Sequence, residues 1–121
     1  MLTHWNLVAS VAVPYAYRTK RESPAVFLYK KPYFHVFGFF YSLKLVAMSE
    51  VVVLMESIDL RKMLKAVKEF RVTHVAMAPP VVAAMAKANV TKGYDMSSLE
   101  GVACGATLIE KDVISFAIIW T

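Results

Sequence analysis

The hydrophobic pattern alternates between short apolar runs and longer stretches with helical spacing. Residues 51–55 are a continuous apolar run rich in β-branched side chains, residues 73–78 are a second short run that is apolar after Thr73 and His74, and residues 59–70 lie between them. In this middle stretch, apolar residues recur at three- and four-residue intervals with charged residues between them, which predicts an amphipathic helix. Strands that are apolar on both faces and joined by such a helix are typical of a covered parallel sheet.

The same alternation continues over the whole chain and contains no repeat or linker. Pro14 is expected to end the first helix, and Asp59 is expected to cap the third. The predicted fold is α/β: one domain over 1–121 with a partial parallel sheet of about four strands and helices on both faces. The predicted helices cover 2–13, 37–48, 59–70, 79–88 and 110–119, and the predicted strands cover 25–29, 51–55, 73–78 and 101–105.

The composition is unusually apolar for a chain of 121 residues, since 58% of residues are hydrophobic and the mean hydropathy is +0.49. Typical globular domains have about 45–50% apolar residues, and a small domain has proportionally more surface to cover. A membrane span is not expected, because Lys44 and Glu50 interrupt the longest apolar stretch before it reaches about 18–20 residues. We therefore interpret the chain as an interior piece of a larger domain.

The net charge of +5 raises the possibility of a nucleic-acid or anionic-lipid partner. However, Arg61, Lys62, Lys65 and Lys68 have the spacing of a solvated helix face, and no aromatic residues are interleaved with them as a stacking platform. A solvated outer surface is therefore expected rather than either partner. The single cysteine excludes an internal disulfide.

Generic catalytic signatures, such as phosphate-binding loops, zinc motifs and nucleophile elbows, are absent. His4, His35 and His74 are far apart in the sequence and lack acidic or thiol neighbours at ligand spacing, so no metal site is expected. His74 is expected to be a hydrogen-bonded structural residue. Cys104, within an apolar strand, is expected to be an inert thiol rather than a nucleophile.

Residues 32–38, Pro-Tyr-Phe-His-Val-Phe-Gly, join a predicted strand to a predicted helix. Such a crossing at the carboxyl edge of a parallel sheet is where α/β folds bind ligands. An aromatic core cluster would produce the same spacing, so the residue pattern leaves both interpretations open.

This segment resembles the P-x-F-H-x-x-G motif of the adenylate-forming acyl- and aryl-CoA ligases, especially plant 4-coumarate–CoA ligase-like proteins. Residues 2–8 resemble the L-T-H-x-N-L-V helix that follows the family's phosphate loop. Residues 59–60, 72–80 and 94–99 resemble later family segments in the same order. The resemblance covers nearly the whole chain and implies a partial N-terminal domain that begins just past the phosphate loop and ends just past the adenine turn.

The family activates a carboxylic acid with Mg-ATP and passes the acyl group to CoA. The resemblance therefore implies ATP or AMP, Mg²⁺ and CoA as cofactors, and a hydroxycinnamic or fatty acid as the small-molecule partner. It also implies a cytoplasmic or peroxisomal location, and the chain carries no targeting signal. The implied substrate-binding residues are His35, Phe37, Tyr41, Cys104 and Gly105, and the implied nucleotide-binding residues are Gly105, Ala106 and Thr107.

The chain departs from the family pattern at several positions. Ala106 and Thr107 replace smaller residues of the adenine turn, and Trp5 and Ser57 stand where relatives have basic residues. The phosphate loop, the magnesium-binding glutamate, the ribose-binding aspartate and the catalytic lysine domain are not in the chain. No catalytic residue is therefore assigned, and the chain is expected to be inactive alone. The alternative is a small non-catalytic protein that docks on a full-length ligase.

Overall fold

A computed structural model describes residues 1–18, 20–30, 34–57, 59–87 and 90–104. The predicted helix over 110–119 lies outside these residues. The predicted order of the other helices and strands is confirmed, with boundaries that shift by at most four residues. The elements are α1 His4–Tyr17, β1 Val26–Tyr29, α2 Val36–Ala47, β2 Val51–Leu54, α3 Leu60–Glu69, β3 His74–Met77, α4 Pro79–Lys87 and β4 Gly101–Cys104.

The four strands form one parallel sheet in the order β2-β1-β3-β4, which confirms the predicted fold class. β1 is a central strand. Leu28 lies opposite Val53 of β2 on one side and opposite Val75 of β3 on the other. β4 pairs with the outer side of β3, where Val75 lies opposite Val102.

The strand order explains why helices cover both faces. The connection from β1 to β2 moves across the sheet in one direction, and the connections from β2 to β3 and from β3 to β4 move in the other. Since crossovers between parallel strands are right-handed, opposite directions place the connecting helices on opposite faces. Leu45 of α2 packs with Tyr29 and Ala76 on one face, whereas α3 and α4 pack with Leu28 and Val75 on the other.

α3 shows how the sequence specifies this arrangement. The Asp59 side chain accepts hydrogen bonds from the backbone N–H groups of Arg61 and Lys62, so the predicted N-cap is confirmed. On the apolar side of the helix, Leu64 and Val67 are fully buried against the sheet.

α1 begins with a capping box in which Thr3 and Asn6 exchange side-chain to backbone hydrogen bonds. The predicted end near Pro14 is wrong, because α1 continues through Pro14 to Tyr17. Proline removes the hydrogen bond to the Ser10 carbonyl and its ring crowds that carbonyl. Because α1 has no buried residues, solvent can hydrogen-bond the freed carbonyl. Among the described helices, none is long and apolar enough to cross a membrane.

Two carboxylates make hydrogen bonds at the amino-terminal ends of the strands. Arg21, in the loop before β1, donates two hydrogen bonds to Glu100 at the start of β4, at 2.5 and 2.7 Å. The carboxylate of Glu50 accepts the backbone N–H of Ala25. These bonds link the amino-terminal ends of the strands. Within the described residues, no such carboxylate bond is found at the carboxyl ends, where the candidate site lies.

Candidate functional site

The candidate site lies at the carboxyl ends of β1 and β3. The chain leaves β1 toward α2 on one face and leaves the adjacent β3 toward α4 on the other face. The two connections therefore diverge and open a crevice, which is the position where open α/β sheets bind ligands. The segment containing His35, which the sequence analysis singled out, follows β1 at this position.

An aromatic cluster lines the sheet on the α2 side. The Tyr41 ring meets the rings of Phe27 and Tyr29 edge-on, with centroids 5.9 and 5.5 Å apart. Phe27 also stacks on His74 of β3, with centroids 4.7 Å apart. Edge-on and offset contacts are the favoured arrangements of aromatic rings, so these side chains form a continuous wall, which we call the aromatic wall.

A hydrogen-bond chain attaches the first turn of α2 to β1. The Ser42 hydroxyl donates to the carbonyl of Gly38 at 2.6 Å. Because a serine hydroxyl has only one proton, the contact between Ser42 and the Tyr29 hydroxyl, at 2.5 Å, has Tyr29 as donor. The chain thus ties Tyr29, which is buried, to the turn that follows His35.

His35 lies immediately before α2, and its carbonyl accepts the backbone N–H of Phe39 at 3.0 Å. The His35 side chain is exposed, and its neighbour Phe34 is 93% exposed. Of the two interpretations of this segment, burial in an aromatic core is therefore wrong for Phe34 and His35. Pro32 and Tyr33 lie outside the described residues.

Tyr41 is half-buried within the aromatic wall. Burial raises the pKa of the Tyr41 phenol to about 12, and the neighbouring Tyr29 adds to the increase. Tyr41 therefore stays protonated well above neutral pH and can pack or donate a hydrogen bond, but it cannot act as a base. The Lys44 ammonium lies 5.9 Å from the centre of the Tyr41 ring, so this side of the site combines aromatic rings with a cation.

His74 confirms the expectation of a structural histidine. Its Nδ1 lies 2.8 Å from the Thr73 hydroxyl, which also bonds the backbone of Val26. Burial lowers the pKa of the His74 imidazole, so the ring is neutral near pH 7. A β-carbon added to Gly101 would lie 3.1 Å from the His74 ring, so the glycine allows the ring to lie across β4.

The sequence analysis did not predict a cavity at the carboxyl edge of the sheet. On the α3 side, a cavity of about 70 Å³ lies beneath the carboxyl ends of the strands, with Lys30 and Asp59 among its lining residues. Lys30 is exposed, as expected for a charge at the end of this strand. The remaining lining is mostly aliphatic and includes three methionines, Met55, Met63 and Met77.

Sequence reasoning also missed the contributions of Phe27, Tyr29 and Ser42 to the aromatic wall and its attachment. The spacing of Phe27 and Tyr29 could have indicated part of this wall, because residues two apart in a strand lie on the same face of the sheet. Their juxtaposition with His74 depends on the pairing of β1 with β3, which are 47 residues apart along the chain at the pair Phe27–His74.

Comparison with known proteins decides the family. The family model described as AMP-binding enzyme matches residues 1–120. The chain belongs to the AMP-binding enzyme family. It is 38% identical over 116 residues to 4-coumarate–CoA ligase-like 9 of Arabidopsis thaliana, with 93% of this chain and 20% of that protein covered. It is 38% identical over 123 residues to 4-coumarate–CoA ligase-like 5 of Oryza sativa subsp. japonica, with 93% and 23% covered.

A solved structure agrees with this assignment. The amide bond synthetase McbA of Marinactinospora thermotolerans superposes with a TM-score of 0.77 at 25% identity, with 92% of this chain and 22% of that chain covered. This chain spans about a fifth of the length of the curated relatives it matches.

The structure describes only some of the site residues that the family resemblance implies. Phe37 lies in the first turn of α2, and Cys104 ends β4 opposite Met77. The side chains of Phe37 and Cys104, and the whole of Gly105, Ala106 and Thr107, lie outside the described part of the chain. The roles of these five residues, and those of His35 and Tyr41, stay predictions.

The described residues do not fit a magnesium site. Within them, no group of three or more His, Cys, Asp or Glu side chains could hold a metal ion. We therefore derive no step through Mg²⁺ from this part of the chain.

The pKa of Tyr41 leads to a test of the aromatic wall. An exposed tyrosine ionises near pH 10, whereas Tyr41 is expected to ionise at about pH 12 in the folded chain. Between these values the unfolded chain has lost a proton that the folded chain still holds. The free energy of unfolding should therefore fall as pH rises from about 10 through 12.

Urea unfolding followed by circular dichroism across this pH range measures the effect. Tyr41→Phe keeps the ring but removes the ionisable hydroxyl, so the variant should lose less stability than the wild type. Tyr17→Phe removes an exposed phenol and should behave as the wild type. Equal pH dependence in the wild type and Tyr41→Phe would contradict a buried Tyr41 hydroxyl.

Proposed function

We propose that this chain supplies the acid-binding part of an ATP-dependent carboxylic acid–CoA ligase. In that reaction a carboxylate oxygen attacks the α-phosphorus of ATP and pyrophosphate leaves. The CoA sulfur then attacks the acyl carbon and AMP leaves. The chain would act in the cytoplasm or a peroxisome. Family membership and the curated relatives support the reaction class.

The observation that carries the assignment to acid binding is the aromatic wall beside the sheet crevice. Phe27 and Tyr41 present partly exposed rings there, in contact with each other. The buried Tyr29 packs behind Tyr41, and His35 lies immediately before the helix that carries Tyr41. A wall of neutral rings can contact the apolar part of an acid and leaves its carboxylate for the reaction. Hydroxycinnamic acids and long-chain fatty acids both have this combination of a carboxylate and an apolar body.

Binding of 4-coumaric acid to the 121-residue chain, measured by ligand-observed NMR or calorimetry, tests the acid-binding role. Tyr41→Leu should weaken binding by roughly 2- to 12-fold, because an aromatic pair contributes about 0.5–1.5 kcal/mol beyond its buried area. Tyr41→Phe should bind as the wild type does.

The matched control is Tyr17→Leu, which replaces a tyrosine that is 86% exposed on α1 and should leave binding unchanged. Circular dichroism confirms that each variant is folded. If Tyr41→Leu binds with the affinity of the wild type, the aromatic wall is not the acid site.

We further propose that the 121 residues alone do not activate the acid. They span about a fifth of the matched relatives, and no metal-binding cluster occurs in their described part. ATP–pyrophosphate exchange with cinnamic and fatty acids should stay at the background rate, with a full-length relative as positive control. Exchange above background that requires the acid would overturn this proposal.

A second candidate function is docking on a full-length ligase, and α1 favours it. Trp5 is 79% exposed, and Val8 and Val13 are also exposed on this helix. If α1 docks, the chain should co-purify with a full-length 4-coumarate–CoA ligase-like protein. Trp5→Gln should then reduce the retained fraction, and Lys20→Gln, in the loop after α1, should not. Equal retention of both variants would argue against docking through α1.

A further inference from the structure

The positive charge of the chain is concentrated on one helix and the turn that follows it. Residues 61–71 contain five lysines and arginines and one carboxylate, so they carry a net charge of +4 out of the +5 of the whole chain. The other residues contain nine lysines and arginines and eight carboxylates, and are close to neutral.

Four of these cations form the outer surface of α3. We call this surface the α3 cationic face; its residues are Arg61, Lys62, Lys65 and Lys68. All four are exposed. Within the described part of the chain the ion pairs are Arg21–Glu100 and Arg71–Asp95, so none of the four is neutralised by an ion pair there.

Repulsion between these positive charges lowers the stability of α3. Arg61 and Lys65 are four residues apart, and Lys65 and Lys68 are three apart, so their side chains are neighbours on the helix surface. Like charges at these spacings destabilise a helix. A surface with many negative charges would relieve the repulsion, and this points to a binding role for the α3 cationic face.

We infer that the α3 cationic face binds an anionic lipid surface. Arg61, Lys65 and Lys68 lie along one line that spans about 10 Å at the helical rise of 1.5 Å per residue. A plane of phosphorylated headgroups can meet all three at once, whereas one phosphate can meet only one or two.

The mode of binding follows from the opposite side of α3. Leu64 and Val67 are fully buried against the sheet, so the helix cannot turn an apolar face into the bilayer. Attachment is therefore peripheral and electrostatic, and salt should weaken it. Phe70 is the only exposed aromatic side chain on described α3 and its C-cap, which favours lipid over single-stranded nucleic acid, since the latter needs several stacking rings.

Co-sedimentation with vesicles tests the inference. The 121-residue chain should bind phosphatidylcholine vesicles that contain phosphatidylserine, and should bind them more weakly at high salt. Each lysine near an anionic leaflet contributes about a fivefold factor to partitioning. Lys65→Gln/Lys68→Gln should therefore reduce binding by roughly 25-fold.

Arg18→Gln/Lys20→Gln is the matched control, because it removes the same charge from exposed residues at the end of α1 and in the loop after it. It should reduce binding to the anionic vesicles much less. Glutamine and lysine have similar helix propensities, and circular dichroism checks that both variants are folded. The inference would be overturned if the chain bound neutral and anionic vesicles equally well. It would also be overturned if the two double variants lost vesicle binding to the same extent, or if the chain bound single-stranded DNA but not vesicles.

Discussion

β1 pairs with β2 on one side and with β3 on the other, and its side chains are buried on both faces of the sheet. Leu28 and Tyr29 point to opposite faces and are 1% and 2% exposed. The rest of the described fold depends on this central position. Because β2 and β3 flank β1, the connections to them run in opposite directions and place α2 and α3 on opposite faces. The crevice at the carboxyl ends of β1 and β3 is a direct result.

The α2 side of this crevice is aromatic, and the Lys44 ammonium lies 5.9 Å from the centre of the Tyr41 ring. Burial raises the pKa of Tyr41 and lowers the pKa of His74, so neither of these two side chains supplies a charge that could bind a phosphate near neutral pH. The hydrogen bond from Tyr29 to Ser42 holds α2 on the sheet and thereby keeps Tyr41 against Phe27. Such a wall is suited to the apolar body of an acid, and the proposed acid-binding role follows from this chemistry and from family membership.

The two sides of α3 serve different purposes. Its apolar side closes the larger hydrophobic core, where Leu64 and Val67 are fully buried. Its other side carries most of the net charge of the chain. The inferred lipid contact uses only this outer side, so it is compatible with the acid-binding role at the sheet edge. An acid with a long apolar tail partitions into bilayers, and a ligase attached to the surface would meet such a substrate there.

Local patterns were sufficient for the family and for most of the fold. Short apolar runs predicted the strands and helical spacing predicted the helices. Asp59 was recognised as a cap because its hydrogen bonds reach only two and three residues along the chain. The end of α1 was misjudged at Pro14, since one lost hydrogen bond does not stop a solvent-exposed helix. The ordered motifs around His35 carried the family resemblance, which the family match confirms.

Only the tertiary structure decided the order of the strands and the neighbours of each side chain. Phe27 and His74 are distant in sequence and stack because β1 and β3 pair in parallel. The raised pKa of Tyr41 has the same origin, since burial against β1 causes it. Local spacing determines which face of an element is apolar, but the strand pairing that brings two such faces together depends on the packing of the whole chain.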